Sequence, residues 1–502
     1  MSSLSAVPRS RVRRRTLQCL LPFALFGLLA GCQHNASLLE AQQAFREGNL
    51  VLAKTSIQSY READGDGRDR LIAYIEEGSI LRANGEIEAS MAAFDMADSF
   101  VEEFDQMADF SLSKETTALF TNLNFIPYRG THYDRIMLSV YRAMNFLALG
   151  QPDSARVELF RVYERQQIAV EDNAKRIEKA QAEAQAANQE QESSKRYDVE
   201  RARKDPTFQA SLDAAYAKLD QFDAYEAYVN PYAEFFQALY FIANPADAND
   251  RERGRVSMER VFGMVPENVY IEQDLALATQ VSRGGEVPAL TYILFETGSA
   301  PYRDEIRIDI PLFLVNNEVD YVGAAFPELD TVDNFATSLR VSADGQVFDT
   351  SLLADVDSIV IQEFRNELPL IVTKTLIASG TKALAAYLAN QAVKDQDPWV
   401  ALATRIATAT YQVSQNQADL RTWATLPKQV QYARLPTPES GLILISTAGT
   451  PQPVPVSVDA KGVNVVLVRS VNTFSPLKIS QFNLVPGATW QTTTVSYSPL
   501  AP

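Results

Sequence analysis

Three stretches of this chain share one spacing: a glycine, a small residue five positions on, and an apolar residue four further. They read Gly48, Ala53, Ile57; then Gly85, Ser90, Phe94; then Gly150, Ala155, Leu159. Glycine is suited to open a turn between two helices. The small residue lets the second helix lie close to the first, and the apolar residue one turn later falls on the same face. The pattern predicts stacked helix–turn–helix units, because a single unit cannot bury its own apolar face.

This signature (Gly48, Ala53, Gly85, Ser90, Phe94, Gly150, Ala155) resembles the tetratricopeptide repeat, whose period is roughly 34 residues. The first two glycines lie about one period apart, and the third about two further on. A degenerate fourth copy runs through Gly254, Met258 and Val261 to Pro266, where proline stops the helix. Between the third and fourth copies lies a charged, Gln/Ala-rich insertion, from about 158 to 228. Glu158–Lys204 and Thr207–Tyr228 are both predicted helical. They either project from the array or fold back along it.

Beyond Pro266 the texture changes. Ser282–Gly285 reads as a linker. Alternating or continuous apolar runs predict strands over Ala289–Glu296, Glu305–Leu314, Gly441–Ser446, Val454–Val458, Val463–Arg469 and Leu477–Asn483. Ala343-Asp344-Gly345 is a hairpin turn. Helices are predicted from Asp355 to Val393 and from Trp399 to Asn416, the first an apolar core helix interrupted by Lys374, Lys382 and Gly380. The fold class is therefore α + β. An N-terminal tetratricopeptide-like superhelix (32–275) precedes a β-sandwich-like mixed α/β domain with inserted helices (286–502).

The N-terminus sets the compartment. Arg9, Arg11, Arg13, Arg14 and Arg15 precede an apolar stretch from Leu20 to Ala30 that is too short to span a bilayer, which needs roughly 20 residues. A basic segment, a short apolar segment and small residues at the cut make residues 1–31 a signal peptide. The ending Leu29-Ala30-Gly31-Cys32 resembles the bacterial lipobox, in which the cysteine is acylated and becomes the first mature residue. Gln33, rather than Asp, in the next position implies sorting to the outer membrane.

Net charge is -17, and loss of the basic leader makes the mature chain more acidic still. That argues against nucleic acid and against electrostatic attraction to anionic lipid, so attachment falls to acyl chains. The two cysteines are Cys19, lost with the leader, and Cys32, consumed by lipid. With His34 and His132 the only histidines, no metal site and no cofactor are expected. The acidic pairs Glu328 with Asp330 and Asp355 with Asp357 would serve glycoside chemistry only beside an aromatic-lined cleft.

Three further stretches, taken in order with the lipobox, resemble a family of uncharacterised Gram-negative outer-membrane lipoproteins with tetratricopeptide-like repeats and a C-terminal α/β domain. The first is Tyr128-Arg129-Gly130-Thr131-His132-Tyr133-Asp134, with Asp134 where the family has Glu. The second is Glu296–Glu305, with Arg303 in place of Lys. The third is Ala418–Pro427, containing Asp419, Arg421, Trp423, Leu426 and Pro427. On a strand Asp419, Arg421 and Trp423 would share a face, with Arg421 over the indole. They are either a partner hot spot or a buried ion pair with a packed Trp at the helix–sheet junction.

The expectation is a non-enzymatic scaffold or adaptor for cell-envelope machinery. Acylated Cys32 would hold it on the periplasmic face of the outer membrane, and a protein partner would dock in the helical-repeat groove. The alternatives are a binder of peptidoglycan or exopolysaccharide, and a carboxylate-based envelope hydrolase.

Overall fold

The structure is a computed structural model. It describes residues 36–64, 67–107, 127–189, 197–222, 225, 229–313, 319–392, 417–448, 452–484 and 495–496. Leu29, Ala30, Gly31 and Cys32, and the helix predicted over Trp399–Asn416, lie outside the described residues.

Helices come first, in pairs: α1 (Ala36–Arg46) with α2 (Leu50–Asp64), α3 (Arg70–Ala83) with α4 (Ile87–Met107), and α5 (His132–Ala148) with α6 (Pro152–Gln189). Each pair turns on its predicted glycine, where φ is +79° at Gly48, +85° at Gly85 and +72° at Gly150. The amide after each glycine reaches back to close the first helix: Asn49 to the Ala44 carbonyl (2.8 Å), Glu86 to Leu81 (2.9 Å) and Gln151 to Phe146 (2.8 Å). Ala53, Ser90 and Ala155 are fully buried where the paired helices meet.

A fourth pair, α9 (Pro231–Ala243) and α10 (Ala248–Met264), turns without glycine. Here Gly254 takes the small position of the signature. A Cβ on it would lie 3.0 Å from Ile242 Cγ1 and 3.3 Å from the Ala238 carbonyl oxygen. One more helix, α11 (Val269–Ser282), follows.

The insertion departs from its predicted form. α6 ends at Gln189, and the return comprises the short helices α7 (Val199–Arg203) and α8 (Pro206–Tyr216), with a 3-10 turn at Ala217–Gln221. Asp198 and Asp205 cap α7 and α8 and so divide the return. This return folds back: Tyr197 and Tyr216 donate through their hydroxyls to the carbonyls of Pro311 (2.9 Å) and Pro327 (2.8 Å).

The β-domain contains β1 (Leu290–Thr297), β2 (Tyr302–Phe313), β3 (Val319–Asp330), β4 (Arg340–Ala343), β5 (Gln346–Asp349), β6 (Ser351–Asp355), β7 (Gln429–Pro436), β8 (Leu442–Ser446), β9 (Val454–Ser457), β10 (Asn464–Ser470), β11 (Lys478–Asn483) and β12 (Val495–Ser496). One sheet runs β12-β11-β10-β1-β7-β6 and a second runs β5-β4-β8-β9, while β2 and β3 form a separate ribbon. β1 pairs in parallel with β10 and antiparallel with β7. The β4–β5 hairpin turns at Asp344 (φ 45°) and Gly345 (φ 78°), the two left-handed residues that such a turn needs.

The two sheets make a sandwich. Ile293, Phe295, Ala433, Val466 and Val468 meet Val341, Ile443, Ile445 and Val456 in one core. The alternate residues of the six-stranded sheet (Tyr292, Leu294, Tyr432, Val465, Leu467) point the other way, into a core shared with α1 to α5 and α9 to α11. All eight residues of β1 are therefore buried.

α12 (Val356–Ala392) connects β6 to β7 and packs on the β2–β3 ribbon. Gly380, read from sequence as an interruption, lies inside this unbroken helix. The Tyr197 ring occupies its missing side chain, and a Cβ there would come within 2.2 Å of the ring. Among the described residues no helix is long and apolar enough to cross a membrane.

Candidate functional site

The third motif is irregular backbone rather than a strand: the Ala424 amide and the Trp423 and Thr425 side chains bond to α3, and the Arg421 amide turns back onto Asp419, so no strand ladder forms. Trp423 is 2 % exposed. Its ring packs against Phe94 (6.1 Å between centroids) and Tyr141 (5.9 Å), and its Nε1 donates to the Ser79 hydroxyl (2.8 Å). Glu76 of α3 accepts from the Ala424 amide (2.9 Å), from the Thr425 hydroxyl and from Gln42 Nε2 (2.7 Å). Burial pushes the Glu76 carboxyl up to about 7, against the pull of those hydrogen bonds. Leu426 and Pro427 are buried too, and the Leu426 carbonyl accepts the Ala300 amide (2.8 Å).

Arg421 does not lie over Trp423. Its guanidinium forks onto Asp419 (2.8 and 2.7 Å), reaches Asp69 of the helical array (2.8 Å) and stands over the Tyr128 ring (5.5 Å). Away from a strand, the two side chains need not share a face, and the paired carboxylates draw the guanidinium off the indole. Burial works against the charge on Asp419, but Arg421 beside it holds its carboxyl below the usual range.

The first motif caps α5. The Thr131 hydroxyl accepts the Asp134 amide, and the Asp134 carboxylate accepts the Thr131 amide (2.8 Å) and the Tyr128 hydroxyl (2.5 Å). Glu363 of α12 takes the next two amides, those of His132 (2.9 Å) and Tyr133 (3.0 Å). In the second motif, Glu296 accepts the Tyr232 hydroxyl (2.9 Å), Gly298 turns with φ +74°, and Glu305 accepts the Ala418 amide (3.0 Å). Arg303 pairs with Glu367 of α12 (3.2 Å).

All three motifs, far apart in sequence, thus converge on one cavity of about 220 Å³. Tyr128 and Arg129 come from the first, Arg303 from the second, and Asp419 and Arg421 from the third. One face of α12 (Glu367, Leu370, Ile371, Lys374) closes it. The sequence marked the motifs but held no sign of their meeting, and it gave the α12 residues no part in a site, reading Lys374 only as an interruption of an apolar helix.

The groove expected as a docking surface is filled by the chain itself. The first helix of every pair is covered: α1 by Thr422 and Asn472, α3 by Ala424 and Thr425, α5 by Trp423, and α9 by Tyr432 (4.6 Å from Phe235) and Phe482 (6.4 Å from Phe236). Twelve of the thirteen residues of α9 are buried. A partner would therefore meet the outer helices, where α6 exposes Val157, Ile168 and Val170.

The acidic pairs hold cations of the fold. Glu328 and Asp330 share Lys218, and Asp357 pairs with buried Lys428. Burial pushes Asp357 up to about 7. Among the described residues no group of three or more His, Cys, Asp or Glu is placed to hold a metal.

No protein-family model matches the chain, and no curated protein does. Among solved structures, the chain is similar to a tetratricopeptide repeat protein from Parabacteroides merdae ATCC 43184, at 12 % identity. The match covers 49 % of this chain and 98 % of that one, with a TM-score of 0.14. At that score it adds nothing to the repeat architecture, which rests on the helix pairs and their glycine turns. The chain has a tetratricopeptide-like helical region followed by a distinct β-domain, and the helical part is consistent with a protein-interaction scaffold.

Proposed function

We propose that the chain is a lipid-anchored adaptor of the cell envelope, held to the periplasmic face of the outer membrane by acylated Cys32 and acting without catalysis. The observation that carries the scaffold part is the row of helix pairs whose inner faces are fixed by the β-domain and whose second helices expose Val51, Met96, Val157 and Ile168. Such an array offers a rigid, extended surface rather than an adaptable groove. The anchor part is supported by the basic leader, its short apolar stretch and Leu29-Ala30-Gly31-Cys32. α1 begins four residues after Cys32, so the array would sit within about 14 Å of the acyl chains.

Two measurements test this reading. Cells fed labelled palmitate should incorporate it into the native chain and not into Cys32→Ser, and the variant should leave the membrane fraction. A photo-crosslinking residue at Val157 or Ile168 should capture a discrete envelope protein in living cells. Unchanged fractionation of Cys32→Ser would defeat the anchor. Crosslinks absent from the outer helices but present elsewhere would defeat the docking face.

A further inference from the structure

We infer that the cavity where the three motifs meet is a binding site for a carboxylate carried on a short apolar body. The site stands independently of the adaptor reading, and loss of Cys32 would leave it intact.

Arg303 is the first ground. Its side chain is 10 % exposed and pairs with Glu367 through one terminal nitrogen at 3.2 Å. Its Nε–H is buried and meets no acceptor among the described residues. The guanidinium also stands over the Phe364 ring (5.3 Å), and its buried Nε–H is open to an acceptor from a ligand. Arginine's planar fork matches a carboxylate.

Charge is the second. Four cationic side chains line the cavity (Arg129, Arg303, Lys374 and Arg421) against two anionic ones, Glu367 and Asp419. Both carboxylates already bond to arginines of the same wall. Asp69, from behind the lining, bonds Arg421 as well.

Shape is the third. Leu370 and Ile371 lie beside Glu367 and Lys374 on one face of α12, and Pro127 and Pro327 face the same space. The volume, about 220 Å³, is below the roughly 300 Å³ at which drug-sized pockets begin, and suits a body the size of one amino acid. An arginine fork takes phosphate as well, and a phosphate would be favoured further by a cradle of backbone amides. The helix terminus beside the cavity cannot supply one, because Glu363 and Thr131 already take the first amides of α5.

Calorimetric titration of the folded chain tests the assignment. N-acetyl-leucine should bind saturably with one site in the millimolar range or tighter. N-acetyl-leucinamide, which lacks the charge, should bind at least about tenfold more weakly. Ile371→Trp, which fills the cavity, and Lys374→Gln, which removes a cation from a half-buried position, should each weaken the acid by a similar factor. Lys374→Gln keeps the test alive if the Trp variant fails to fold. A leucine-ended peptide with a free carboxyl, compared with its amidated twin, separates the two sources of this chemistry. Tighter binding than N-acetyl-leucine points to a polypeptide terminus, and equal or weaker binding to a free small carboxylate. No saturable heat from the acid, equal binding of acid and amide, tighter binding of inorganic phosphate, or native affinity in both variants would overturn the proposal.

Discussion

The Trp423 indole donates to the Ser79 hydroxyl at 2.8 Å, across 344 positions of chain. The ring fills the space between α3, α4 and α5 that an open repeat array would leave to a partner. Trp423→Ala should therefore destabilise the protein by about 3–5 kcal/mol, the usual cost of emptying an aromatic core position. Denaturant melts followed by far-ultraviolet circular dichroism check this. The helical and β signals should fall together, because both regions share one core.

Glu76 should make stability fall as pH rises. Its carboxyl ordinarily titrates near 4.5 and is lifted by burial to about 7. Between those values the folded state keeps a proton that the unfolded state has lost. The folded state thus binds more protons, and the slope of stability against pH is negative. Across that window Glu76 removes up to roughly 3 kcal/mol. Glu76→Gln keeps an acceptor for the Ala424 amide and cannot ionise. Melting temperatures from pH 4.5 to 7.5 (about the window just named) should fall less steeply in that variant than in the native chain, keeping the slope that Asp357 and Asp274, which burial also raises, contribute in the same sense.

Gly78 and Phe94 should behave as a coupled pair. A Cβ on Gly78 would fall 2.3 Å from Phe94 Cε1. Alanine in a helix is ordinarily better than glycine by about 1 kcal/mol. Here Gly78→Ala should instead destabilise by roughly 1–3 kcal/mol through overpacking. In the Phe94→Leu background the same change should cost less or stabilise. A double-mutant cycle by chemical denaturation reads the sign, and additive effects would contradict the contact.

Arg421 joins the β-domain to the array through Asp69, with both side chains at least 95 % buried. Lysine carries the charge but cannot fork onto Asp419 while reaching Asp69. Arg421→Lys should cost about 3 kcal/mol, and Arg421→Met in an Asp69→Asn background should recover part of it. Thermal unfolding of the four-member set decides.

The helix pairs were legible because their determinants are local. Gly48, Gly85 and Gly150 each set a turn, and the residue five positions on sets the approach of the next helix. β1 and β10 were legible as apolar runs, since both faces of their sheet are covered. The filling of the inner face was not. Glu76 meets Ala424, and Gln42 meets Thr422, through hydrogen bonds that leave no period in the sequence. The resemblance flagged Tyr128, Arg303 and Arg421 as separate motifs, and only the tertiary fold makes them neighbours. The strand reading of Asp419, Arg421 and Trp423 failed for the same reason: Arg421 reaches Asp69 and Trp423 reaches Ser79, both far upstream, rather than a neighbouring strand.

β10, the parallel partner of β1, lies far along the chain from it. β10 begins at Asn464 and the covering segment lies at 417–427, so both emerge long after α1 to α5. Until then Trp423, which packs on Phe94 and Tyr141, is not yet made. A chain shortened before Ala418 would lack Trp423 and would leave Phe94 and Tyr141 to water, an aggregation-prone state rather than a smaller working protein.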